Sequence, residues 1–133
     1  MNDTTIPNLD ALHDKVTSYL DTHERILGEF RVSMDNAQNF LELAKLSADR
    51  EPENTVIMLE QIKEIDLFGH LTRQYEVFRE VTDMIPSGSD DPSTQLQAER
   101  FEDLDLQYEA MLADAEAKTE QLEQLLAQLQ GNA

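Results

Sequence analysis

Apolar residues recur along this chain at intervals of three and four, and the pattern breaks in two places. The first break is Ser47-Ala48-Asp49-Arg50-Glu51-Pro52. The second is Pro86-Ser87-Gly88-Ser89-Asp90-Asp91-Pro92. Proline, glycine, serine and aspartate at that density mark turns. Three segments remain, at about 8–48, 52–85 and 92–130, with a loop at 86–91. No β-branched run alternates with period two, so no strand is predicted. Residues 1–7 are polar and read as a flexible N-terminus, and 131–133 as the C-terminal end.

Stepping by seven from Leu9 gives Val16, His23, Phe30, Ala37 and Ala44. Stepping by seven from Leu12 gives Tyr19, Ile26, Ser33, Phe40 and Ser47. These two rows read as an a/d seam. A third row, Leu20, Leu27, Met34 and Leu41, runs beside them. Three apolar rows suit a helix buried against two neighbours. Asn8 is placed to cap its start.

The middle segment opens with Pro52 between Glu51 and Glu53, residues that suit a first turn. Its stripe is Met58, Ile62, Ile65, Phe68, Leu71, Tyr75, Phe78, Val81 and Ile85. Gly69 lies inside that pattern at a cost of about 1 kcal/mol relative to alanine, which points to close approach of another helix, with a hinge as the other reading. The third segment opens with Asp91-Pro92, an N-cap followed by proline at the first helical position. Its seam is Phe101, Leu104, Tyr108, Met111, Ala115, Lys118, Leu122, Leu125 and Leu129, with Gly131 placed to end it. Lys118 on a seam reads as a side chain that snorkels, or as a polar residue setting register. Three helices with short connections predict an all-α fold, an elongated antiparallel three-helix bundle with coiled-coil character and a single domain over 8–130.

Charge changes this picture. The chain has 133 residues, with 28 acidic against 10 basic side chains, a formal net charge of −18. Residues 1–50 carry −4, residues 51–86 carry −5 and residues 87–133 carry −9. Half of the charge thus sits on and just before the helix with the cleanest seam. That balance argues against direct nucleic-acid binding and against a membrane partner, since both need clustered Lys and Arg. No stretch approaches the ~18 apolar residues that span a bilayer. The first dozen residues lack the basic and apolar regions of a secretory signal, so an intracellular, soluble protein is expected, cytoplasmic or nuclear.

Candidate chemistry is sparse. Without cysteine there is no disulfide, thiolate ligand or thiol nucleophile. The four glycines form no phosphate-binding loop, and no Gly-x-Ser-x-Gly elbow occurs. The histidines are His13, His23 and His70. Asp10-x-x-His13 has the spacing of a di-iron ligand pair but stands alone. His23 falls on the seam and reads as a hydrogen-bonded core residue, and Asp66 with His70 as an ordinary i,i+4 surface pair. No catalytic residue, metal ligand or cofactor is assigned, and the chain is read as a non-enzyme.

The expected function is that of an acidic coiled-coil interaction protein, an adaptor or assembly subunit of a larger complex. Its interface would be Phe101, Leu104, Tyr108, Met111, Lys118, Leu122, Leu125 and Leu129. An acidic face of Glu102, Asp103, Asp105, Glu109, Glu116, Glu120 and Glu123 would select a partner with a basic rim, and self-association is a second use of the same seam. The alternative is an acidic inhibitor or nucleic-acid mimic lying in the basic groove of a DNA- or RNA-binding protein. A metal-dependent bundle enzyme, resting on the three histidines and the many acids, is the weaker alternative. A high-salt cytoplasm would also favour this charge balance.

Overall fold

The structure, a computed structural model, describes residues 5–86 and 88–131, with side chains from Asp10 onward. Four α-helices run along it: α1 Thr5–Ser47, α2 Pro52–Ile65, α3 Leu67–Arg79 and α4 Pro92–Gly131, with a 3-10 segment at Glu80–Met84 after α3. No strand occurs among the described residues. The fold is an all-α helical bundle. At ~1.5 Å per residue, α1 and α4 are each about 60–65 Å long. No helix among the described residues is long and apolar enough to cross a membrane.

Side-chain pairs fix the topology. His13 meets Thr94, Thr17 meets Gln97, and His23 meets Tyr108, so α1 and α4 run parallel. Arg79 meets Asp105, Tyr75 meets Glu109, and Glu60 meets Gln130. The arm made of α2 and α3 therefore runs antiparallel to both, an up-down-up order.

The burial pattern selects among the three apolar rows of α1. Val16, Leu20, His23, Leu27, Met34, Leu41 and Ala44 are buried, at intervals of three, four and seven. They come from the row through Val16 and the row through Leu20. The row through Leu12 lies on the flank, where Tyr19 and Phe40 are 41% and 46% exposed. The a/d assignment thus needs correction: the second buried row is Leu20–Leu41. Leu9 lies outside the residues whose side chains are described. The helix also begins earlier than Asn8, which sits inside it, so Asn8 is not the cap. Pro7 falls in the first turn, where a missing N–H costs nothing. Residues 1–4 of the expected loose N-terminus lie outside the described residues, while 5–7 are helical.

The α1–α2 turn is held locally. The Arg50 and Glu51 amides donate to the Ser47 carbonyl at 3.1 and 2.8 Å. Thr55, buried on the first turn of α2, donates its hydroxyl to the Glu51 carbonyl and meets the Ser47 hydroxyl at 2.8 Å.

The middle segment is not one helix. It breaks at Asp66, which takes up a left-handed conformation with φ 51°. Its backbone N–H closes α2 onto the Lys63 carbonyl, and its carboxylate accepts from the Gly69 amide at 3.2 Å as the N-cap of α3. This also explains Gly69. A Cβ there would run into the Asp66 carboxylate rather than into another helix. The His70 amide donates to the Asp66 carbonyl at 3.0 Å, but the ring does not pair with the Asp66 carboxylate: its Nδ1 accepts from Arg73 at 2.9 Å. Asp66→Ala should lose the cap and place a Cβ-bearing residue without side-chain compensation at positive φ, costing about 1–2 kcal/mol in a denaturation series. Asp66→Gly, which relieves the backbone but not the cap, should cost less.

The packed interior falls into two clusters. The larger joins Val16, Leu20, Leu27 and Met34 to Leu71, Phe78 and Val81 and to Phe101, Leu104, Tyr108, Met111 and Ala115. The smaller joins Leu41, Ala44, Leu59, Leu122 and Leu126. The break at Asp66 lies at the level where one gives way to the other.

Candidate functional site

Helix α4 carries both features that the sequence singles out, and the structure separates their roles. Asp91 caps it, accepting from the Thr94 amide at 2.9 Å and the Thr94 hydroxyl at 3.1 Å. Those bonds, the backbone one foremost, hold the Asp91 carboxyl below its ordinary value. Because the Thr94 hydroxyl spends its proton on Asp91, it accepts from His13 Nε2, 2.8 Å away. Asp91 Oδ2 is itself 3.4 Å from that nitrogen. His13 therefore docks the α4 cap onto α1 rather than pairing with Asp10. Gln97 adds two donations, to the His13 carbonyl at 2.8 Å and to Thr17 at 3.0 Å, while its Oε1 is buried without a partner.

The apolar seam of α4 faces the chain's own interior. Phe101 stacks on Phe78 with centroids 4.5 Å apart and planes 7° apart. Leu104 is buried, and Met111 nearly so. Tyr108 is fully buried and shares a 2.8 Å hydrogen bond with His23 Nδ1, as the seam position of His23 suggests. Burial pushes the Tyr108 hydroxyl up and the His23 imidazole down from their ordinary values. Lys118 lays its stem along the interior and turns its ammonium out to Asp114 at 2.7 Å, the snorkelling arrangement. Leu122 is buried in the smaller cluster, with Leu125 and Leu129 packed on its edge. Seven of the eight residues expected to meet a partner, all but Lys118, thus pack in the two clusters shared with α1, α2 and α3. Helix α4 runs to Gly131, the last of the described residues.

The acids divide differently. Asp105 is partly buried and bound by Arg79 at 3.2 Å. The other six, Glu102, Asp103, Glu109, Glu116, Glu120 and Glu123, are exposed. Glu102, Glu109, Glu116 and Glu123 follow each other at steps of seven, a row with one carboxylate every ~10.5 Å. The row lies on the flank toward the second arm, where Tyr75 donates to Glu109 at 3.4 Å. The ion-paired cations of the chain bind other carboxylates. Arg100 bridges Asp21 and Glu24 on α1 at 2.6 Å each, and Arg25 pairs with Glu29 at 3.0 Å. No ion pair to the four glutamates of the row occurs among the described residues. Stepping by seven along α4 finds this row in the sequence alone. The α4 docking built by His13, Thr94 and Gln97 has no comparable signal, because it needs two segments about 80 residues apart.

Among the described residues, no group of three His, Asp or Glu side chains is placed to hold a metal ion. Comparison with protein-family models, with curated proteins and with solved structures gives no match to this chain.

Proposed function

We propose that the protein is a non-catalytic binding module that docks a cationic protein surface along the exposed carboxylate row of α4. One observation carries this reading. The glutamates at 102, 109, 116 and 123 lie on one exposed flank without cationic partners, while the apolar seam beside them is occupied by the chain itself. The first-choice interface from the sequence thereby gives way to its acidic rim. Exposed carboxylates in a chain of net −18 steer basic surfaces to them and raise association rates. The histidines support a structural rather than a chemical use, since His13 and His23 are engaged with Thr94 and Tyr108.

Mimicry of nucleic acid is less favoured by the spacing. One DNA strand presents a phosphate every ~3.4 Å of axis, whereas the row presents a carboxylate every ~10.5 Å. A partner helix or strand with basic residues at wide intervals suits that spacing better.

The test replaces Glu102, Glu109, Glu116 and Glu123 together with glutamine. The variant should keep its helix content, because none of the four carries an ion pair. A partner recovered by affinity purification on the wild-type protein, then isolated, should bind the variant roughly thirtyfold more weakly, from about 0.5 kcal/mol per exposed pair. The loss should fall mainly on the association rate and shrink as salt is raised. Binding equal to wild type, or a salt-independent difference, would overturn the assignment of this row.

A further inference from the structure

At the level of the Asp66 break, the bundle is under-filled. On α1 the inward stripe passes from buried Met34 to the partly buried Ala37 before reaching Leu41. On α4 the seam passes from Met111 to Ala115 and Lys118, whose ammonium is turned out to Asp114, before reaching Leu122. One turn of the bundle thus offers two alanines where the turns above and below offer large side chains. The second arm changes from α2 to α3 at this point, so Ile62 and Leu67 flank the gap from the two sides of the break. The result is a cavity of about 380 Å³ with Ala37, Leu41, Ile62, Leu67, Ala115 and Leu122 among its walls. It takes Leu67 and Ala115 from the edge of the larger core cluster and Leu41 and Leu122 from the smaller, so it lies between the two.

The opening of the cavity has its own chemistry. Lys63 and Lys118 are set there with Asp66 and Glu123, two cations and two anions, with a hydroxyl from Thr119. Counting Asp114, which holds the Lys118 ammonium, the group is two cations and three anions, close to balance in a chain of net −18. The Thr119 hydroxyl is spent on the Ala115 carbonyl at 2.9 Å, and the Asp66 carboxylate on the Gly69 amide. The walls therefore offer apolar contact, and the rim offers hydrogen bonding from groups whose charges nearly cancel. Ligand sites combine a mostly apolar lining with a few polar groups and run from about 300 to 1,000 Å³.

We infer that this cavity is a binding site for a small, uncharged, mostly apolar molecule, about the size of one or two fused aromatic rings, carrying a hydrogen-bonding group toward the charged rim. The site shares Glu123 with the carboxylate row of α4 but otherwise lies between the helices, and the alanine-filling variants below leave the row intact.

The absence of tryptophan makes a direct test available, because indole can be excited with little background from the protein. Indole titrated with the full chain should show a saturable blue shift of its emission at one molecule per chain, and should raise the thermal midpoint. Ala115→Leu fills the cavity from α4 and should weaken indole binding by about tenfold or more while the helix signal is retained. Ala37→Leu fills it from α1 at a less buried position and supplies the same test if the first variant does not fold. Ala110→Leu, exposed on α4, should bind as wild type. Indole-3-acetate and tryptamine, an anion and a cation of the same shape, should bind more weakly than indole. No saturable shift up to millimolar indole, unchanged binding in a folded filled variant, or tighter binding of either charged analogue would overturn the inference.

Discussion

Phe78→Ala should cost about 3–5 kcal/mol, the range for removing a fully buried aromatic ring and leaving a void. Phe78 is wholly inaccessible and sits at the centre of a ring cluster contributed by three arms. Phe101 stacks on it at 4.5 Å, Tyr108 lies at 4.9 Å and tilted, His23 at 5.2 Å edge-on, and Tyr75 at 6.4 Å. Rings in such arrangements contribute about 0.5–1.5 kcal/mol per pair beyond the area they bury. The hole left by alanine cannot close easily, because its walls belong to three different helices. Urea unfolding followed by circular dichroism should show a much lower midpoint with an unchanged slope, since the surface exposed on unfolding hardly alters. The neighbouring Val77, half exposed, is the control: Val77→Ala should move the stability by no more than about 0.5 kcal/mol. Equal effects at the two positions would contradict the packing described for α3.

Acidification should loosen the same layer. His23 is 3% exposed, and burial holds its imidazole below its ordinary value of 6.5. The unfolded chain therefore takes up a proton at a higher pH than the folded chain does. Stability associated with the neutral ring is complete above about pH 6.5 and is lost as pH falls from there toward the folded value. Within that window the slope approaches about 1.4 kcal/mol per pH unit. The groups packed on the ring offer no compensation: Phe78 from α3 is apolar, and Tyr108 from α4 has a hydroxyl that burial keeps protonated. His23→Phe should flatten the profile between pH 7 and 5 at a cost of about 1–3 kcal/mol at pH 7, because the Tyr108 hydroxyl loses its partner. Adding Tyr108→Phe should recover much of that cost. A wild-type profile that stays flat through this range would refute the account of His23.

The helices and their order were legible because burial at three- and four-residue steps leaves few alternatives to helix. The choice among rows in α1 was not legible. Leu12, Tyr19, Ile26 and Phe40 look as apolar as the row through Leu20, and only the positions of α3 and α4 decide which row is enclosed. The break at Asp66 was concealed for a different reason. It lies between Ile65 and Leu67 in an unbroken apolar stripe, with no proline nearby. Its one local sign is an aspartate three residues before Gly69, a combination that can be read as a cap only after the left-handed turn is known. The acidic row on α4 follows from counting in sevens. Whether the adjoining seam met a partner or the chain itself turned on where α1 lies, and that is tertiary information.

The parallel pairing of α1 with α4 sets the order in which this chain can fold. The contacts between α1 and α2, and those of α3 with the start of α4, join segments close in sequence and can form early. His23 and Tyr108 are 85 residues apart, and His13 and Thr94 are 81. Loop closure over that span comes late, after the local hairpins have shortened the effective distance. During synthesis, α1 therefore leaves the ribosome with Val16, Leu20 and Leu27 covered at most on the side of α3 until Phe101 to Met111 have been added. Sticky surface is then displayed for several seconds at ordinary elongation rates. The net charge of −9 carried by residues 1–86, −4 and −5 on the first two segments, helps to keep such nascent chains apart, which gives the acidity a use during birth as well as in the finished molecule.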